Sequence, residues 1–147
     1  MVQPKLEFVF ELRVDVSEGI RELGTTPKGI RRIIPLCGGS FEGPSIKGTI
    51  LPGGYDWQLI RSDGVAEIEV RYVLKTDDDT LITVMNTGLR HATATIMERM
   101  AKGEELDPSL YYFRSVPVFE TSVPNYDWLS KNIFIANGIR QPNVGHL

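Results

Sequence analysis

The chain has 147 residues, 41% of them hydrophobic and 24% charged, with a net charge of −3 and one cysteine, Cys37. This length suits a single domain, residues 1–147, and the composition excludes a disordered chain. The mild acidity gives no footprint for nucleic acid or anionic lipid, one cysteine excludes an internal disulfide framework, and no apolar run is long enough to span a membrane.

The N-terminal stretch alternates Leu6, Phe8, Phe10, Leu12 and Val14 with mostly charged residues, a period of two that predicts a strand. It lacks the basic and then apolar pattern of a leader, so a cytoplasmic protein is expected. From Ser17 to Pro35 the pattern dissolves among Gly19, Gly24, Pro27 and Gly29, which reads as a long loop with a short strand over Ile33–Leu36. Gly38-Gly39 and Gly43-Pro44 break the chain around Ser40-Phe41-Glu42, and Ser45–Leu51 is extended.

A hairpin follows. Its arms are Asp56–Arg61 and Val65–Lys75, and Ser62-Asp63-Gly64 supplies a turn in which Asp and Gly tolerate positive φ. Asp77-Asp78-Asp79 makes an acidic turn, and Leu81–Thr87 is a strand that stops at Gly88. Between His91 and Lys102, Ala92, Ile96 and Met100 share a helical face, with Gly103 as the stop. Leu110–Thr121 is extended, with Pro117 suggesting an edge or bulge. Pro124–Ser130 suits one helical turn, Asn132–Asn137 a last strand, and Gln141–Leu147 a frayed tail. The fold class is therefore all-β and mainly antiparallel, a calycin-like closed barrel of about seven to eight strands with one helix, a sandwich being the alternative.

No metal site is expected, because only His91 and His146 exist and the acidic turn lacks EF-hand spacing. Cys37 has no histidine in its segment, no GxSxG elbow occurs, and the glycine pairs lack a phosphate loop's Lys-Ser/Thr ending, so no cofactor is expected. Acid–base and hydrogen-bonding chemistry remains. Asp56 is the leading candidate, since it follows Gly53-Gly54 and precedes Trp57. Gln58 shares its face, and Tyr112, Arg114 and Glu120 share another if Pro117 does not shift the register. Glu67, Glu69 and Arg71 alternate with Ala66, Ile68, Val70 and Tyr72, which favours a wet outer face for these three.

The run Gly38–Pro44, then LPGGYDWQLIRSDG, Val70-Arg71-Tyr72, Tyr112-Phe113-Arg114, Pro117–Thr121 and Tyr126–Leu129 resembles a family of small bacterial and fungal proteins known as domain of unknown function 3237. The turn at Asp78-Asp79-Thr80 departs from it, where a glycine is expected. The resemblance implies a calycin-like barrel with a central cavity. It also implies kinship with fungal members that act as cofactor-free cyclases of phenalenone (polyketide) pathways, adding a hydroxyl across a carbon–carbon double bond. The matching positions are Asp56, Trp57, Arg71, Arg114 and Glu120.

On this basis Asp56, Arg71 and Arg114 are the expected catalytic residues, with Trp57, Gln58, Asn86, Tyr112 and Glu120 binding an aromatic or phenolic ligand. The competing expectations are a barrel that binds or carries a small molecule without chemistry, and a structural interaction module. A homo-oligomer is compatible with the sequence.

Overall fold

The computed structural model describes residues 2–16 and 18–140, so the expectations for Gln141–Leu147 and His146 lie outside the described residues. Among the described residues ten strands form one antiparallel sheet: β1 (Glu11–Asp15), β2 (Arg21–Thr26), β3 (Gly29–Leu36), β4 (Gly38–Glu42), β5 (Lys47–Ile50), β6 (Gly54–Ile60), β7 (Ala66–Thr76), β8 (Leu81–His91), β9 (Tyr112–Glu120) and β10 (Ala136–Asn137). One α-helix, α1 (Ala94–Ala101), and two 3-10 helices, Pro108–Leu110 and Pro124–Ser130, complete it. No helix among the described residues is long and apolar enough to cross a membrane.

β7 is the hub. β8 pairs along nearly its whole length, while β6 takes one half of its other edge and β5 the last three positions, Gly48↔Thr76 to Ile50↔Leu74. From β6 the sheet continues to β3 and β2, from β5 to β4 and β1, and from β8 to β9 and β10. The sheet curls in a barrel-like way, but no ladder among the described residues closes it by hydrogen bonds. Aromatic packing bridges the gap instead: the Phe10 ring meets Phe41 of β4 at 5.5 Å and Phe119 of β9 at 5.7 Å, both edge-on.

Several expectations change. The N-terminal strand is only β1, and Leu6 and Phe8 are 80% and 68% exposed, because alternation alone cannot make a strand where no neighbour offers a ladder. The expected loop at Ser17–Pro35 holds the β2–β3 hairpin, turned at Pro27-Lys28, where the Lys28 N–H donates to Thr26 Oγ1. A bulge between Glu22 and Gly24, with Gly24 at φ 83°, disguises its period. Gly38 and Gly39 belong to β4 instead of breaking the chain; a Cβ on Gly39 would strike the Arg13 carbonyl of β1.

β8 runs straight through Gly88, where a Cβ would lie 2.5 Å from that of Ser115 on β9. Gly88 is therefore a packing glycine and no stop signal. The helix starts later than its apolar spacing implies, at the Thr93 cap, and buries Met100. Pro117 causes no bulge: the β8–β9 register is unbroken from Thr83↔Glu120 to His91↔Tyr112.

Candidate functional site

The unbroken registers stack side chains in rows on the concave, inner face of the sheet. One row reads Ile34, Asp56, Val70, Asn86 and Pro117 across β3, β6, β7, β8 and β9. One step along lie Arg32 and Gln58 on β3 and β6, then Gly88 and Ser115 on β8 and β9. The next row carries Ala66, Arg90 and Phe113. Away from these rows the interior is apolar, with Leu36, Leu74, Ile82 and Leu129 almost wholly enclosed. The polar groups therefore occupy one end of an otherwise hydrophobic interior.

Burial there is deep: Asp56 is 0% exposed, Gln58 1% and Arg90 7%. Asp56 Oδ1 accepts the Glu69 backbone N–H at 3.1 Å, while its Oδ2 is buried without a partner. Gln58 Oε1, Asn86 Oδ1 and the Nε of both Arg32 and Arg90 are likewise buried and unpartnered among the described residues. Five such atoms on one face of a sheet are unusual in a folded chain, where buried polar groups almost always find partners. Arg32 Nε does lie 3.2 Å from Glu22 Oε1 at the rim, but its N–H does not point at that oxygen.

The charges follow from this setting. Burial raises the pKa of Asp56 from 3.8 to about 6, opposed by the Glu69 N–H and by the charges of Arg90 and Arg32. Burial, and then the nearby Arg140 charge, push Arg90 down to about 10, with Asp56 pulling the other way. The Arg90 guanidinium lies over the Phe113 ring at 5.6 Å. Arg140 is fixed at the edge: its Nη1 donates to the Met100 carbonyl at 2.6 Å and its backbone N–H to the Tyr111 hydroxyl at 3.1 Å.

The structure thus divides the expected site residues between two faces. Asp56, Gln58 and Asn86 lie on the inner face, in adjacent rows of the register. Trp57, Arg71, Tyr112, Arg114 and Glu120 have the opposite parity and are exposed on the outer face. The first four of these line two open depressions there, of about 870 and 530 Å3, that share Arg31, Trp57 and Glu69. Arg114 sits over the Tyr112 ring at 5.3 Å, and Tyr112 stacks on His91 at 5.0 Å. These outer groups are exposed, and Asp56 lines neither depression.

Arg32, Arg90, Arg140 and Ser115 escaped sequence reasoning. A parity signal existed for two of them. Arg32 shares the parity of Ile30 and Ile34, and Arg90 continues the register of Ile82, Val84 and Asn86 once Gly88 is not taken for a stop.

Comparisons with known proteins agree with the fold. The family model "Protein of unknown function (DUF3237)" matches residues 4–147. A UPF0311 protein of Rhodopseudomonas palustris (strain TIE-1) is 39% identical over 139 residues, covering 95% of this chain and 89% of the relative. The crystal structure of a beta-barrel like protein from Acinetobacter baumannii superposes with a TM-score of 0.82 at 44% identity, covering 95% of this chain and 90% of that one. More distant is the PR-toxin biosynthesis cluster protein 7 of Penicillium roqueforti, 25% identical over 146 residues, with 86% of this chain and 78% of that protein covered. The structure of an enzyme from Penicillium herquei shares the fold, with a TM-score of 0.64 at 17% identity over 98% of this chain and 95% of that one.

Proposed function

The chain belongs to the DUF3237 family of proteins of unknown function, and from that premise we propose that its polar interior is the site of cofactor-independent acid–base catalysis. The substrate class is an aromatic or phenolic molecule, and the reaction an intramolecular closure of an oxygen heterocycle. One observation carries this reading: Asp56 is fully enclosed, has one carboxyl oxygen with no partner, and titrates near 6. A carboxylic acid poised near the working pH is suited both to give and to take a proton.

In such a step Asp56, protonated, donates to one carbon of the substrate's alkene. The substrate hydroxyl oxygen bonds to the other carbon, and the hydroxyl proton passes to the Asp56 carboxylate. The carboxyl group is restored and all atoms are retained in the isomer. Arg90 and Arg32 hold phenolate or carbonyl oxygens, taking the roles expected of Arg71 and Arg114, while Gln58 and Asn86 orient the ligand. Holding hydroxyl and alkene together supplies much of the rate, since well-oriented intramolecular reactions gain about 7–11 kcal/mol in the best cases. The kinship with a fungal biosynthetic-cluster protein supports catalysis as a class.

The test is incubation with a panel of ortho-alkenyl phenols, followed by chiral chromatography of the cyclic ethers. Enantiomerically biased product that disappears in Asp56→Asn supports the proposal. Ligand binding without conversion across the panel favours the carrier reading. Full turnover by Asp56→Asn removes Asp56 from the mechanism.

A further inference from the structure

We infer that the polar interior is built to take a small organic oxyanion, a carboxylate or a phenolate, between Arg32, Arg90 and Arg140. This inference rests on the reading of that interior as a ligand pocket and adds the charge of its occupant.

Three guanidiniums are close enough to act on one another: Arg90 senses both Arg140 and Arg32, and Arg140 senses Arg32. Their negative complement is small. Asp56 shares the space with one oxygen committed to the Glu69 N–H, and even ionised, above its pKa of about 6, it sets one negative charge against three guanidiniums. Glu22 is beside Arg32 at the rim, where its side chain is 64% exposed and solvent weakens its field. Arg90, on the inner face, has no ion pair or hydrogen bond through its side chain among the described residues.

Buried charges in proteins are paired, because an unpaired one costs far more than a neutral polar group. An interior that gathers like charges, with the Nε of both Arg32 and Arg90 buried and unpartnered, is complementary to an anion. Planar guanidiniums suit oxygen pairs and delocalised oxyanions in particular. The adjoining walls are apolar, with Phe113 under Arg90 and Ile68, Val70 and Pro117 along the rows, so the anion needs a flat hydrocarbon body.

The probes are benzoate with its neutral isostere benzamide, and 4-nitrophenol with its neutral ether 4-nitroanisole. Binding to the full chain is followed by calorimetry, and for 4-nitrophenol also by the absorbance that separates phenol from phenolate. At least one anion should bind about tenfold or more tighter than its neutral isostere. The bound nitrophenol should be phenolate at a pH where the free compound is mixed. Whichever pair shows the preference identifies carboxylate or phenolate.

Arg90→Met should abolish the preference, and Arg90→Lys, which keeps the charge, should retain part of it. Asp56→Asn should keep or strengthen anion binding, because it removes a competing negative charge. If Arg90→Met does not fold, the wild-type preference together with Arg90→Lys decides. Equal affinity for charged and neutral partners, with affinity still altered by Asp56→Asn, overturns the oxyanion inference and leaves acid–base catalysis standing. A preference undiminished in Arg90→Met also overturns it. Failure of all four probes to bind overturns both the inference and the pocket reading beneath it.

Discussion

Asp56→Asn keeps the size of the side chain and its ability to accept the Glu69 N–H, and removes only the ionisation. Its effect on stability can be worked from the structure. Burial raises the pKa in the folded chain from 3.8 to about 6, so between about pH 4 and about pH 6 the folded state holds a proton that the unfolded state has lost. Stability therefore falls as pH rises through that window and levels off above it. Each pKa unit is worth about 1.4 kcal/mol, so the loss is about 3 kcal/mol.

Other shifted carboxylates act elsewhere. The Arg61 side-chain bonds hold Asp63 down at about 2, and hydrogen bonds also lower Asp78 and Asp107, so their contributions fade only as pH drops below about 4. Urea unfolding at fixed pH values from 4 to 7 should show the difference between wild type and Asp56→Asn growing by about 3 kcal/mol in favour of the variant. Parallel curves across that range would show that Asp56 titrates normally, and would remove the basis for its catalytic role.

Arg90→Met removes a positive charge that lowers the Asp56 pKa, so the pH profile of turnover should shift its Asp56 limb upward; an unmoved limb would show that the two groups do not interact. Gly88→Ala forces a Cβ against Ser115 and should cost roughly 1–3 kcal/mol of stability by denaturant titration. Leu74→Ala, in a fully enclosed position, should cost about 2–5 kcal/mol by the same assay. Arg71→Ala and Arg114→Ala, on the exposed outer face, should change stability by no more than about 0.5 kcal/mol and should impair turnover much less than Arg90→Met does; equal impairment would move the chemistry to the outer depressions.

The parts of the fold that were legible from the residues are those where local chemistry agrees with tertiary placement. The β6–β7 hairpin is one: Gly64 takes φ 87° and Asp63 Oδ1 accepts the Val65 N–H, as Asp-Gly between extended arms implies. The segments that were not legible have periods interrupted by glycines serving as contacts between strands, Gly39 against β1 and Gly88 against β9. One chain gives no means to tell a packing glycine from a stop.

The site suffered from a related ambiguity. Asp56 was found through its corner, but alternation equates polar residues with water, so Arg32 and Arg90 on the inner face look no different from Arg71 and Arg114 on the outer one. Inward polar residues violate the binary pattern, and such violations concentrate at functional sites. Only the register across β3, β6, β7, β8 and β9 assembles them.

A crystal structure of the protein soaked with 4-nitrophenol tests the account most directly, because it asks which face of the sheet holds the guest. The ring should lie inside, its oxygen within hydrogen-bond distance of Arg90 or Arg32 and its body near Asp56 Oδ2 and Phe113. A ring lodged instead beside Trp57 on the outer face, with the interior unchanged, would contradict it.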